Sequence, residues 1–161
     1  MLRPVNLNDA PAIAEIYNHY VRETIITFEE IEIDAAEIEK RIEIITAKYP
    51  WIVFEEDGEI LGYAYAGEWR TRSAYRFVAE SAVYLKHDLP PKGIGSLLYA
   101  ELLQKLKAQG IHAVMGVLGL PNEPSIKLHE KFGFKKVAHF KEVGFKFEKW
   151  VDVGYWQLTF D

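Results

Sequence analysis

Cysteine is absent from all 161 residues. Disulfide staples and a thiol nucleophile are therefore excluded, and with them a Cys-linked acyl-enzyme. Positive charge is in the minority, with 19 Lys and Arg against 24 Asp and Glu and a net charge of -5. A general nucleic-acid binder needs a basic face to meet phosphates, so no nucleic-acid partner is expected, although a local basic pocket for an anion stays open. No window approaches the roughly 18 apolar residues of a membrane helix, and Met1-Leu2-Arg3-Pro4 begins no apolar leader. No membrane partner and a cytoplasmic location are the expectations. His19, His87, His112 and His139 show no metal-ligand spacing with one another or with nearby carboxylates, so no metal is expected. A Gly-x-Ser-x-Gly elbow is also missing, which argues against a serine hydrolase.

What is present is an ordinary globular balance, 49% hydrophobic and 27% charged. One domain spanning 1–161 is expected, long enough to bury a sizeable core. A short strand follows Leu2, and Asn8 or Asp9 caps a helix with Pro11 in its first turn. Ile13, Ile16, Tyr17 and Tyr20 follow helical spacing, as do Ile38, Ile42, Ile45 and Tyr49 in a second helix opening at Asp34. Strands at 51–55 and 60–66 flank an Asp57-Gly58 hairpin signal. A strand at 76–85, a Pro- and Gly-rich loop and a helix at 94–109 come next, with Gly110 as its stop. An apolar strand at 111–118, a short helix at 122–132 and two strands around a turn near 150–154 complete the chain. The mixed order predicts an α+β fold with a central mixed sheet flanked by helices.

Several residues carry chemistry. Lys92-Gly93-Ile94-Gly95-Ser96 joins a strand to a helix, where glycines let the backbone approach a ligand and helix-start N–H groups suit a phosphate. A third fingerprint glycine would fall at Leu98, and no Walker Gly-Lys-Ser/Thr follows, so neither a dinucleotide motif nor a P-loop fits. Taken alone, the segment is equally readable as a connector. Glu80 interrupts an apolar strand: it is either a structural ion pair, an outward-facing residue, or a general base whose basicity burial raises. His129 shares a helical face with Ser125 and Phe132 and is either a hydrogen-bonded core histidine or an acid or base near neutral pH. Arg70 and Arg72 are two apart and followed by Tyr75; they suit an anion held between two guanidiniums, or a solvated turn paired with Glu68.

Beyond these readings, the loop and the Asn122-Glu123-Pro124-Ser125 to Gly133-Phe134 helix resemble the coenzyme A loop and the following helix of the GNAT acetyltransferases. Tyr49-Pro50-Trp51, Tyr63-Ala64-Tyr65-Ala66-Gly67, Glu80-Ser81, Gly119-Leu120-Pro121-Asn122, Leu128-His129-Glu130 and Asp152-Val153-Gly154 are similar to the phosphinothricin N-acetyltransferase family, over essentially the whole chain. The resemblance implies a single GNAT-type domain using acetyl-CoA as co-substrate to acetylate the α-amine of a small anionic amino acid. The chemistry it implies is direct attack in a ternary complex. It places Glu80 and His129 at catalytic positions. The same resemblance sets Val83, Tyr84, Leu85, Lys92, Gly93, Ile94, Gly95, Ser96, Asn122 and Ser125 along the coenzyme, and Phe28, Arg70, Arg72 and Tyr75 in the substrate pocket. A homodimer is implied too, and the aromatic carboxyl-terminal stretch suits an interface. Arg70 stands where the family often has Lys, and Pro90-Pro91 removes two N–H donors from the loop. Alternatives are a GNAT acetyltransferase of another amine, with the arginines speaking against a cationic polyamine, and a weakly catalytic acyl-coenzyme A-binding module.

Overall fold

The computed structural model describes residues 1–161. Seven strands form one sheet: β1 Leu2–Pro4, β2 Trp51–Glu56, β3 Glu59–Glu68, β4 Val78–Leu85, β5 Ala113–Leu120, β6 Lys135–Lys146 and β7 Lys149–Thr159. Their order is β1-β2-β3-β4-β5-β7-β6, and every pairing is antiparallel except β4 with β5. Helices α1 Ala10–Glu23 and α2 Ala35–Thr46 cover one face. Helices α3 Ile94–Ala108 and α4 Glu123–Lys131 cover the other. The parallel pair requires a crossover, which α3 supplies between β4 and β5. No helix is long and apolar enough to cross a membrane.

The apolar spacing delivers the two layers. Ile13, Ile16 and Tyr17 of α1 and Ile38 and Ile42 of α2 are buried against Trp51, Val53 and Tyr63. Leu98, Leu102 and Leu106 of α3 are fully buried on the opposite face with Val114 and Trp156. Even-numbered residues of β4 therefore face α1, and odd-numbered residues face α3.

Two boundaries differ from expectation. The side chains of Asn8 and Asp9 do not cap α1. Instead Asn6 caps a 3-10 turn, Leu7–Asp9, that runs into the helix; its side chain accepts from Asn8 N at 2.9 Å while Asp9 Oδ2 accepts from Asn6 N at 2.8 Å. Asp9 also takes both Arg3 guanidinium nitrogens at 2.8 Å, tying β1 to α1. The closing turn lies at Phe147-Glu148, with φ of 53° and 59°, and not near 150–154. Neither residue carries the Asn-Gly signature of such a turn, and Gly154 is a strand residue whose bareness has another cause. A Cβ there would stand 2.4 Å from the Trp156 ring.

Burial pushes the Asp9 carboxyl up, but the Arg3 hydrogen bond and the Asn6 amide outweigh it and hold it below its ordinary value. A depressed carboxylate stabilises the fold above its unfolded pKa and loses that contribution as pH falls through the folded value. Asp9→Asn should cost about 2 kcal/mol in urea unfolding at neutral pH. That cost should shrink as pH falls below the ordinary carboxylate range; an equal cost at both pH values would refute the Arg3–Asp9 account.

Candidate active site

The site begins where the sheet comes apart. Pairing of β4 with β5 runs from Val78–Ala113 to Ser81–Gly116 and stops, although β4 continues to Leu85 and β5 to Leu120. Lys86 N donates to Leu61 O at 2.9 Å on the β3 side. By alternation along the strand, the N–H and C=O of Val83 and Leu85 face the open fork. Leu85 is already engaged there: the Tyr20 hydroxyl donates to its carbonyl at 2.6 Å and accepts from its N–H at 3.3 Å. The Val83 edge has no such partner.

The fork opens into a cleft of about 660 Å³ that continues to the start of α3. Gly93 adopts φ +71° there, a left-handed turn that a Cβ would strain, and the helix begins at Ile94. Leu97 N bonds Gly93 O, so the N–H groups of Ile94, Gly95 and Ser96 have no acceptor and point out of the helix start. Three free donors on a helix dipole make an anion cradle. Lys92 does not aim into it, because its Nζ pairs with Glu56 at 2.6 Å. Lys131 of α4 does stand at its edge, donating to Ser96 Oγ at 2.9 Å. The donor set fits a pyrophosphate at the helix start and an amide-bearing arm along Val83, which is the chemistry of coenzyme A. All ten sequence-predicted coenzyme positions line this cleft, as does His129. Asn122 has a structural duty as well: it caps α4, accepting from Ser125 N at 3.3 Å.

His129 is buried, 5% exposed, with its ring over Gly116. A Cβ on Gly116 would meet that ring at 2.4 Å, so the glycine makes the room. Nδ1 lies 2.7 Å from Ser125 O, a carbonyl that only accepts, so Nδ1 carries the proton and Nε2 the lone pair. Burial holds the ring's pKa below the ordinary imidazole value, only partly offset by the Ser125 bond. Tyr99 stands edge-on to this ring at 5.1 Å, and its hydroxyl lies 2.6 Å from Ser81 Oγ at the point where the fork opens.

Glu80 lies on the other face. It is in register with Met115, one position from the Ser81–Gly116 pair beneath His129, so the two candidate catalytic groups are separated by the sheet. Its half-buried carboxylate makes no hydrogen bond or ion pair, and burial raises its pKa, partly opposed by Arg70. The ion-pair reading of Glu80 therefore finds no partner. Arg70 stacks on Trp69 at 4.8 Å, and Tyr75 meets the same indole edge-on at 5.3 Å. Arg72 opens a 3-10 turn, Ser73–Tyr75, and Glu68 pairs with neither arginine. Phe28 is 43% exposed and packs over Gly144 of β6 and Gly119 of β5 on this same face. Phe28, Arg70, Arg72 and Tyr75 lie outside the cleft that holds the coenzyme positions. The places of Tyr20, Ser81, Tyr99 and Lys131 at the fork have no signal in the sequence, because their bonds span 18 to 65 residues and leave no local pattern.

A family model for an acetyltransferase (GNAT) domain matches residues 2–154. A phosphinothricin N-acetyltransferase of Streptomyces viridochromogenes is 39% identical over 99% of this chain and 87% of its own length. An L-methionine sulfoximine/L-methionine sulfone acetyltransferase of Pseudomonas paraeruginosa is 33% identical over 99% of this chain and 94% of its own. Among solved structures, a GNAT superfamily phosphinothricin acetyltransferase of Sinorhizobium meliloti in complex with acetyl-CoA superposes with a TM-score of 0.95 at 37% identity, covering 99% of this chain and 87% of that one.

A buried histidine with a depressed pKa costs stability as pH falls from the ordinary imidazole value towards the folded one, since the unfolded chain takes the proton first. An NMR titration of the His129 ring should show it charging at a lower pH than an exposed histidine. Protonation at or above the ordinary value would overturn the neutral assignment.

Proposed function

The chain belongs to the GNAT acetyltransferase family, and we propose that it moves an acetyl group from acetyl-CoA to the α-amine of a small anionic amino acid. Phosphinothricin and methionine sulfoximine or sulfone are the substrate class. The observation that carries this reading is the fork: it opens between a face bearing three unpaired helix-start N–H groups and a face bearing the unpaired Glu80 carboxylate, within reach of the Arg70 charge.

Ile94, Gly95 and Ser96 would hold the pyrophosphate through N–H groups, and Val83 would pair with the arm that follows. When bound, acetyl-CoA supplies an activated acyl carbon. The Val83 N–H, facing the fork, would donate to the acyl oxygen and polarise it, leaving the Val83 carbonyl to accept from an amide of the arm. Arg70 and Arg72 bind the carboxylate and the phosphinate or sulfone end of the amino acid, a task for which guanidinium forks are shaped. Phe28 and Tyr75 give the pocket its apolar walls. Glu80 takes a proton from the incoming ammonium so that the free amine attacks, and its raised pKa brings it closer to the basicity that task needs. His129, neutral with Nε2 as acceptor, orients polar groups at the fork; as the C–N bond forms the C–S bond would break, and the departing coenzyme sulfur would take up, through solvent, the second proton lost by the amine nitrogen. Fixing both reactants in one geometry supplies much of the acceleration.

The chain acts where acetyl-CoA is available, in the cytoplasm. It works as a homodimer. The edge strand β6 and its hairpin expose Phe145, Phe147 and Trp150, an apolar face that a second copy would cover.

Free-thiol release from acetyl-CoA should be selective for phosphinothricin, methionine sulfoximine and methionine sulfone over glutamate, spermidine and a short peptide. The absence of cysteine leaves that signal free of protein thiols. Glu80→Gln should lower kcat by about 10²-fold or more and abolish the acidic limb of the kcat/KM profile, where the wild type loses activity as pH falls through the raised Glu80 pKa. Retention of that limb would remove Glu80 as the base. Arg72→Ala should raise KM for the amino acid far more than for acetyl-CoA. Sedimentation should give about twice the 18.6 kDa chain mass, and a monomer would refute the dimer.

A further inference from the structure

Lys146 is 2% exposed, one of the most deeply buried side chains of the molecule. It makes no salt bridge, and the nearest carboxylate to favour its charge, Glu30, acts from beyond contact. Its ammonium instead donates to Thr27 O at 2.8 Å and reaches Tyr20 O at 3.5 Å, with the Phe147 ring 5.1 Å away. Burying an unpaired ammonium is expensive, and two backbone carbonyls with one aromatic face are a weak substitute for a carboxylate. Such an arrangement persists where the charge ties elements together. Here it joins the tip of β6 to the last turn of α1 and to the segment after it, across 119 and 126 residues.

That segment, 24–29, carries Phe28. Thr27 is held a second time through its hydroxyl, 2.7 Å from Tyr17 OH. Glu29 is held by two Arg41 nitrogens at 2.6 and 3.0 Å and by Tyr17. Phe28 therefore sits between two fixed neighbours, with its ring laid on Gly144 two residues before Lys146 on the same strand. The strand that supplies the tether also supplies the floor.

We infer that Lys146 is a positioning residue for the amino-acid pocket: by holding the Thr27 carbonyl it presents Phe28 as a fixed apolar wall. This rests on the assignment of Phe28 to that pocket. A wall fixed in advance costs the substrate no loop ordering on binding, so the tether acts on amino-acid affinity. Its bond to Thr27 lies away from the Gly93–Ser96 cradle, although Tyr20 and Ile26 line the outer part of the same cleft, so the comparison of the two KM values is what separates the two sites.

Lys146→Met keeps the length of the side chain and removes the charge. Hydrogen exchange of amides 24–29 should quicken, and KM for the amino acid should rise about tenfold, with KM for acetyl-CoA and kcat moving less than twofold. Gly144→Ala tests the floor without touching Lys146: its Cβ would stand 2.4 Å from the Phe28 ring, and it should reproduce the KM change. Unchanged exchange in 24–29, or an equal rise of both KM values, overturns the inference; so does faster exchange with an unmoved amino-acid KM. Phe28→Ala separates the two claims. If it leaves KM unchanged, the pocket assignment fails, whereas a KM rise there with a silent Lys146→Met defeats the tether alone.

Discussion

The parallel pairing of β4 with β5 ends after four registered residues, and most of the site follows from that one interruption. Backbone groups in a sheet are ordinarily consumed by neighbours. Past Ser81 and Gly116 the two strands part, and the inner edge of β4 has to find partners elsewhere. Tyr20 meets the need at Leu85. Val83 is left over, so a ligand carrying amides can add itself to the strand. The same parting exposes the start of α3, because the crossover helix must begin where β4 ends.

Close approach decides which side chains share this fork. Gly116 lets the His129 ring lie directly on β5, and the Ser125 carbonyl fixes its tautomer. Gly119 and Gly144 do the same for Phe28 on the opposite face. Each missing Cβ thus places one functional ring, which conformational freedom alone does not explain, since none of the three has positive φ. Burial then sets the chemistry: it keeps His129 neutral and makes the unpartnered Glu80 more basic than an exposed carboxylate. The two groups lie on opposite faces, and under the proposed function they would meet a substrate only through the gap between the strands.

The chemistry of the amino-acid side is organised by charge. Arg3–Asp9 and Arg41–Glu29 fasten the first helices and the segment between them. Arg70 and Arg72 remain without carboxylate partners. In a chain of net charge -5 two neighbouring arginines without carboxylate partners are the exception, and the proposed function uses them for an anion. Lys146 belongs to the fastening group and differs in its means, gripping backbone carbonyls where the arginines grip carboxylates.

The amino-acid sequence alone determined what local periodicity and turn chemistry encode. The helical apolar spacing of Ile13 to Tyr20 and of Leu98 to Leu106, the Asp57-Gly58 hairpin and the glycines before α3 are all readable because each is a contact with near neighbours in the chain. The candidate residues are legible as types in a pattern, and the ten candidate coenzyme positions line one cleft. The end of β4–β5 pairing, the separation of Glu80 from His129 by the sheet, the diversion of Lys92 to Glu56 and the Tyr20–Leu85 and Lys146–Thr27 bonds were decided only in the tertiary structure. These depend on registers and distances between segments 35 (Ser81 to Gly116) to 119 residues apart. The Phe147-Glu148 turn shows the same limit at short range, since the pairing of β6 with β7 imposes a backbone its own residues do not announce.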